Sequence, residues 1–230
     1  MKSEDLESAV FEDAGDIDLD RDDHGFSNPD GSRLTEADLE SADEELAARS
    51  RQLRMRTGSG SADDDGQGGR MDVTPQDLEF LERAVDLAEA AVEAGDEPFG
   101  SVLVDADGVV RFEDHNHVSG GDHTQHPELA IALWAVREMS PGERAAATVY
   151  TSGEHCPMCA AAHGWVGLGR IVYASSSEQL GEWIRELGVA PGPVAPLPIQ
   201  QVVPDAEVAG PVPELAERVR RLHERRCSGA

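Results

Sequence analysis

The fold class that this sequence predicts is an α/β layered domain. Two observations carry the prediction. Short runs rich in Val, Ile, Thr and Tyr alternate along residues 71–230 with segments whose apolar residues recur at steps of three and four. These runs are punctuated by Pro, Gly and Asp at positions that suit turns and helix ends. A third observation sets the boundary. Residues 1–70 carry 20 acidic and 8 basic groups, few large apolar residues, and the Gly/Ser/Asp stretch Thr57–Gly69. Such a segment buries too little apolar surface to offset its chain entropy. It is expected to be an acidic, disordered extension with a transient helix over residues 36–56. The globular part is expected to start at Met71, which also reads as an alternative initiator.

The elements follow in order. Thr74-Pro75-Gln76-Asp77 reads as an N-cap with Pro at the first helical position. Leu78, Leu81, Val85, Ala88 and Val92 then form one helical face, which ends at Gly95. Two strands, Ser101–Asp105 and Val109–Glu113, are joined by Ala106-Asp107-Gly108, a hairpin signal. A loop rich in Gly, Asp and His, His115–Gln125, leads to a helix that opens at Pro127, with Leu129, Ile131, Ala132, Trp134, Ala135 and Val136 in its apolar pattern. Strand Thr148–Thr151 feeds a helix from Pro157 to Val166, with Gly167 and Gly169 just past its end. Strand Arg170–Ala174 follows, then a helix Glu178–Leu187 containing Trp183. A Pro-rich link, Ala190–Pro198, precedes the run Ile199–Val203, which reads as a last strand. Pro213–Arg226 reads as a C-terminal helix with Leu215, Val219 and Leu222 on one face. Trp134, Trp165 and Trp183 lie in apolar helical patterns and are expected to pack in the core.

The chemistry concentrates in His126-Pro127-Glu128 and Cys156-Pro157-Met158-Cys159. Together they offer one imidazole, two thiolates and a carboxylate. Three N/S ligands leave the fourth position of a tetrahedral zinc ion open to water, the pattern of a catalytic site. Zinc lowers the pKa of such a water to about 7. Glu128 is then spare as a proton carrier, provided its site tunes its pKa. Either motif alone says little. C-x-x-C also serves redox pairs and structural zinc knuckles, and His-x-Glu is common. A structural site would need a fourth ligand, and His123, His155, His163 and Cys227 are available. His117 and His123 otherwise read as ordinary loop histidines. Both ligand motifs sit at helix N-termini, which favour thiolates and other anions.

Residues Pro98–Ala174 resemble the cytidine deaminase-like superfamily, in the branch of bacterial guanine deaminases and tRNA adenosine deaminases. The signature of that group is H-x-E with a later P-C-x-x-C. Pro98-Phe99-Gly100-Ser101-Val102-Leu103-Val104 resembles its P-F-G-A-V-x-V strand, and His115-Asn116 its strand-end Asn. Tyr150–Ala160 resembles Y-T-S-x-E-P-C-P-M-C, and Arg170–Ala174 the strand after the second ligand helix. Pro127 stands where Ala is usual, His155 where Pro is usual, and Ala174–Leu180 lacks an Asp-rich segment of guanine deaminases. The resemblance implies a three-layer α/β/α sandwich with a five-stranded mixed sheet. It implies zinc on His126, Cys156 and Cys159, and Glu128 as proton shuttle. It implies substrate contacts from Asn116 and from the backbone around Phe99 and Gly100. It also implies a homodimer. The activity implied is hydrolytic deamination of a guanine-type base or nucleoside, with tRNA adenosine-to-inosine editing or a cytosine, cytidine or amino-triazine substrate as alternatives. A non-catalytic zinc-stabilised module is disfavoured, because it has no use for Glu128.

Composition narrows the partners. The chain has 46 acidic and 19 basic residues, a net charge of −27, and a single lysine, Lys2. The excess persists in residues 71–230, at −15. An acidic, arginine-for-lysine surface suits molar salt, where the Debye length falls to about 3 Å and self-repulsion is screened. The source is accordingly read as a halophile. The same charge disfavours RNA, whose phosphates need Lys and Arg. The single basic cluster, Arg218, Arg220, Arg221, Arg225 and Arg226, is interleaved with Glu217 and Glu224 and reads as a solvated helix face. No apolar run approaches 18 residues and no signal peptide is apparent, so neither a membrane span nor secretion is expected. Three cysteines make no disulfide framework, Cys227 reads as a spare thiol, and the cytoplasm is the expected compartment.

Overall fold

The computed structural model describes residues 73–229. The readings made for residues 1–70 and the start at Met71 lie outside the described residues. Helix α1 spans Pro75–Ala94. Strands β1 (Gly100–Val104) and β2 (Val110–His115) come next. Helices α2 (Pro127–Glu138) and α3 (Pro141–Ala146) follow a 3-10 turn at Val118–Gly120. The chain continues through β3 (Thr148–Gly153), α4 (Pro157–Val166), β4 (Arg170–Ser175) and α5 (Ser177–Glu186). A short helix α6 (Ile199–Val202), a two-residue strand β5 (Val208–Ala209) and helix α7 (Pro213–Ser228) complete it.

The five strands form one mixed sheet in the order β2-β1-β3-β4-β5. β1 is antiparallel to β2 and β3, whereas β3, β4 and β5 run parallel. Side chains alternate across the pleat. Val102, Val104, Tyr150, Val172 and Ala174 point into one core with Leu81, Val85 and Ala88 of α1 and Val219 and Leu222 of α7. Their neighbours Leu103 and Val149 point the other way, against Ile131 and Ala135 of α2. Ile171 and Tyr173 pack on that second side with Ala160 and Ile199. The three-layer sandwich with a five-stranded mixed sheet is therefore present.

Helix α1 starts where its sequence says it should. Thr74 and Asp77 form a reciprocal capping box, Pro75 opens the first turn, and Gly95 closes the helix in the left-handed region at φ 89°. Its buried stripe is Leu81, Ala84, Val85, Ala88 and Ala91, while Leu78 is more than a third exposed. The β1–β2 turn is held by Asp105, whose Oδ1 accepts from the amides of Asp107 and Val109 at 3.1 and 2.9 Å. Asp77 does more than cap. Arg170 at the start of β4 donates two hydrogen bonds to its carboxylate, at 2.8 and 3.1 Å, and the Tyr150 hydroxyl donates a third at 2.8 Å. One buried acid thus ties α1 to β3 and β4. Gly100 is required by packing. A Cβ there would lie 2.5 Å from the Ala84 carbonyl oxygen and from Leu87 Cβ.

Two expectations are corrected, and one element is added. Ile199–Val203 is not a strand. Its first four residues form α6, and the last strand is Val208–Ala209 beside β4. A run of five residues, Ile199-Gln200-Gln201-Val202-Val203, is too short for a period to distinguish the two, and the Ile199 amide is fixed by Glu154 Oε1 at 2.9 Å. Trp165 is not in the core. It is 90% exposed on α4, whereas Trp183 is buried and Trp134 stacks on Phe112 at 5.4 Å. Helix α3, which has no apolar stripe, was not foreseen; Ser140 and Glu143 give it a capping box.

Candidate active site

The second sheet face delivers the metal ligands through helix ends. His126 is the N-cap of α2, Cys156 the N-cap of α4, and Cys159 sits in the first turn of α4. Strand β3 ends at Gly153, just before Cys156, and α2 packs against α4, which brings the two motifs together. His126 Nδ1 lies 3.7 Å from Cys156 Sγ and 3.6 Å from Cys159 Sγ. A tetrahedral zinc ion, with Zn–N of about 2.0–2.1 Å and Zn–S of about 2.3 Å, sets N···S edges of about 3.6 Å. The donor set and its spacing therefore fit zinc. Among the described residues no fourth Cys, His, Asp or Glu joins this cluster. His155 and His163 are buried beside each other with ring centroids 5.3 Å apart, and burial holds both imidazoles neutral. One coordination position is thereby left to a non-protein ligand.

The two thiols shift each other in opposite directions. The Cys159 thiol donates toward Cys156, holding Cys156 at about 4 against the opposing effect of burial, and His126 lowers it further. Cys159, the donor in that bond, is pushed far up, and its burial and the Glu128 charge add to this. The hydrogen bond with Cys156 raises the His126 imidazole, with burial opposing. Zinc binds cysteine as thiolate, so holding the ion would require both thiols to be deprotonated.

Glu128 lies on the first turn of α2, 5% exposed. Burial pushes its carboxyl up, while the His126 charge and hydrogen bonds from Ser101 and Thr151 partly offset this. The Ser101 and Thr151 hydroxyls each stand 2.9 Å from Glu128 Oε1 and 2.9 Å from one another. These two positioning hydroxyls were missed in the sequence. The signal was present: Ser101 stands where the resembled strand carries Ala, and Thr151 pairs with it across β1 and β3.

A cavity of about 800 Å³ opens beside the cluster. His126, Cys156 and Phe99 form its floor, and Leu180, Ile184 and the Pro191–Pro196 segment supply much of its apolar wall. Phe99 lies parallel to the His126 ring at 6.5 Å. Gly100 faces α1 and is not among the lining residues. Asn116 is fully buried next to Phe99, whose carbonyl accepts its amide at 2.9 Å. Asn116 Oδ1 accepts from the Val118 amide at 3.0 Å, and Nδ2 has no partner among the described residues. Helix α7 contributes His223, Arg226 and Cys227 to the cavity wall. His223 is buried, meets Phe99 edge-on at 5.4 Å, and has an Nε2 with no partner. Burial holds it at about 4, so the ring is neutral near pH 7. Sequence reading missed it as a cavity residue, as it did Leu180, Ile184, Arg226 and Cys227, although His223 extends the Leu215, Val219, Leu222 face by one position.

Residues 74–175 match the family model described as the cytidine and deoxycytidylate deaminase zinc-binding region. A probable cytosine deaminase from Schizosaccharomyces pombe is 32% identical over 120 residues, 52% of this chain and 73% of that protein. A guanine deaminase from Bacillus subtilis is 36% identical over 105 residues, 45% of this chain and 67% of that protein. The solved structure of a guanine deaminase from Nitrosomonas europaea superposes with a TM-score of 0.51 at 17% identity, over 71% of this chain and 90% of that one. The last of these is a likeness of fold. The chain belongs to the cytidine and deoxycytidylate deaminase family of zinc-dependent hydrolases. The relatives named above act on different bases, so membership fixes the reaction type and not the ring.

Proposed function

We propose that this protein hydrolytically deaminates a free purine-like nucleobase or nucleoside of the guanine type. The observation that carries this reading is the cavity: a mostly apolar space beside the His-Cys-Cys cluster, with one orphaned polar nitrogen, His223 Nε2, on a lining residue, and a second, Asn116 Nδ2, on a buried residue hydrogen-bonded to the backbone of the lining Phe99. Apolar walls with a few placed polar groups suit a flat aromatic ring. His126, Cys156 and Cys159 hold the zinc ion. When bound, zinc supplies a Lewis acid that makes water a nucleophile near neutral pH. Glu128 accepts a proton from the attacking water, delivers it to a ring nitrogen, then takes the proton of the hydroxyl now on the ring carbon and passes it to the departing amine. A C–O bond forms, the C–N bond breaks, and ammonia leaves as the ring amino group becomes an oxo group. Ser101 and Thr151 hold the Glu128 carboxylate in place between these transfers. Phe99 stacks near the ring, and Asn116 and His223 orient it.

Against an RNA substrate, Arg218 and Arg225 are paired with Glu89, Arg218 also with Asp86, Arg220 with Glu186 and Glu224, and Arg221 with Glu217. Guanidinium groups so occupied offer little to phosphate. The S. pombe relative supports cytosine as the second reading. The protein works in the cytoplasm at molar salt, as a domain from residue 71 behind an acidic extension. The protein pairs as a homodimer, as the family resemblance implies. Among the described residues, no helix is long and apolar enough to cross a membrane.

The test is ammonia release at about 2–3 M KCl, where the acidic surface is screened. The panel holds guanine, adenine, cytosine, their nucleosides, ammeline, and a tRNA anticodon stem-loop. Turnover of guanine or guanosine, lost by at least about 10²–10⁴-fold in Glu128→Gln with zinc retained, is the expected result. Turnover of cytosine alone, or inosine formed only in the stem-loop, would overturn the substrate assignment. Undiminished turnover in Glu128→Gln would overturn the shuttle.

A further inference from the structure

Beyond the cluster at His126, the described residues contain one other group with metal-ligand chemistry: Asp96, His115 and His117. One ligand atom from each lies within 4.8 Å of the other two. We infer that these three side chains form a second divalent transition-metal site, separate from the thiolate-bearing one. Two imidazoles and a carboxylate form a donor set suited to zinc, iron(II), nickel or copper(II).

Each donor is already oriented from behind. His115 Nδ1 lies 2.9 Å from the Asn116 carbonyl oxygen, so the neutral ring donates its proton there and carries the lone pair on Nε2. His117 Nε2 lies 2.8 Å from Asp114 Oδ1, which leaves the lone pair of a neutral ring on Nδ1. Metal-binding histidines commonly have their second nitrogen held this way, by a carbonyl or a carboxylate. Asp114 Oδ1 also accepts the His115 amide at 2.8 Å, so one carboxylate sets both histidines. Asp96 is buried, and the Ser119 amide donates to its Oδ1 at 2.6 Å, leaving Oδ2 as the donor. The two rings stand 4.3 Å apart. An ion with bonds of about 2.1 Å holds its donors at most about 4.2 Å apart. His117, half exposed, is the member free to close any remaining gap. The one cation nearby that the hydrogen bonds show, Arg226, donates to the Asp96 backbone oxygen at 3.1 Å and not to its carboxylate.

The position gives such an ion a purpose. Asp96 precedes the Glu97–Phe99 segment that lines the cavity, and His115 and His117 flank Asn116. The Asn116 amide donates to the Phe99 carbonyl at 2.9 Å. A metal bridging Asp96 to the two histidines would clamp the segment that carries Phe99, which lines the cavity, to the one that carries Asn116.

The test titrates cobalt(II), then zinc, into metal-depleted full-length protein at high salt, read by absorption and by metal analysis after gel filtration. Two equivalents per chain are expected: one with a thiolate-to-cobalt charge-transfer band, and one with ligand-field bands only. His117→Ala, a change at an exposed side chain, should lose the second equivalent and keep the first with its charge-transfer band. Asp114→Asn, which touches no metal, should weaken the second equivalent by roughly 10–100-fold. A single equivalent in the wild type, or two retained in His117→Ala, would overturn the site and leave the deaminase centre untouched. In that case the histidines are a surface pair held by Asp114.

Discussion

Asp77→Asn should remove a pH-dependent part of the stability of the fold, and its size follows from the contacts. Burial by itself pushes the Asp77 carboxyl up. Hydrogen bonds from Arg170, from the Thr74 amide and hydroxyl, and from Tyr150 outweigh this and hold it at about 2, against an ordinary 3.8. Tyr150 stays a donor because burial and the Asp77 charge push its phenol upward. At 1.36 kcal/mol for each step of one in pKa, the drop is worth about 2 kcal/mol. The folded value lies below the unfolded one. That contribution is therefore complete above about pH 5 and is lost as pH falls through 3.8 toward 2. The Asp77 side chain is 4% exposed, so solvent screens it little. Asn keeps the shape and can still cap α1, but it presents Arg170 with a neutral group. Breaking a buried pair costs about 3–5 kcal/mol near neutral pH. The difference in unfolding free energy between wild type and variant should thus be largest at pH 7. It should shrink by about 2 kcal/mol by pH 2. Urea unfolding at fixed high KCl, with chelator present so that metal loss does not enter, measures the difference at each pH. A gap that stays constant within about 0.5 kcal/mol from pH 7 to pH 2 would refute the assignment of the depressed carboxyl to Asp77.

Cys159→Ser should lose the thiolate-held zinc and all turnover together, because an alcohol is a poor zinc ligand at neutral pH; zinc analysis showing that equivalent retained would refute the ligand set. His223→Phe keeps a ring against Phe99 and Trp183 but removes the orphaned Nε2. It should raise KM for the preferred base by roughly tenfold, the worth of about one hydrogen bond, with zinc content unchanged; an unaltered KM across the panel would make His223 a packing residue only. Thermal unfolding should move upward between 0.1 and 3 M KCl as the charge of −27 is screened. A midpoint that is flat or falling with salt would remove the molar-salt reading.

What could be read from the sequence was whatever is encoded over a few adjacent residues. Thr74-Pro75-Gln76-Asp77 specifies its own helix start, and Ala106-Asp107-Gly108 its own turn. His126, Cys156 and Cys159 declare a metal because their donor atoms and helix-end placement are local properties. The failures are of two kinds. α3, α6 and β5 are too short to show a period, so only their neighbours decide them: Ser140 and Glu143 cap the first, Glu154 fixes the Ile199 amide of the second, and β4 recruits Val208 and Ala209 as the third. Trp165 failed for a different reason. An apolar residue in a helix is buried only if its face meets another layer, and α4 turns that residue outward.

The same distinction explains why the reaction was easier to read than its substrate. The atoms proposed to move protons and hold metal come from two short motifs, beside Ser101 and Thr151, which meet in adjacent strands. The ring, by contrast, must fit a wall drawn from Phe99, Leu180, Ile184, the aperiodic Pro191–Pro196 segment and His223. No local pattern records that these residues converge, and a change in any of them alters the cavity without touching the zinc chemistry. A hydrogen-bonding pocket discriminates strongly against rings that leave its polar groups unpaired, whereas an apolar wall discriminates by only about 1–3 kcal/mol per methylene. Selectivity in this chain should therefore rest on Asn116 and His223 more than on the proline-rich wall. Exchanges at those two positions are the ones expected to change which base is preferred and not merely how fast it turns over.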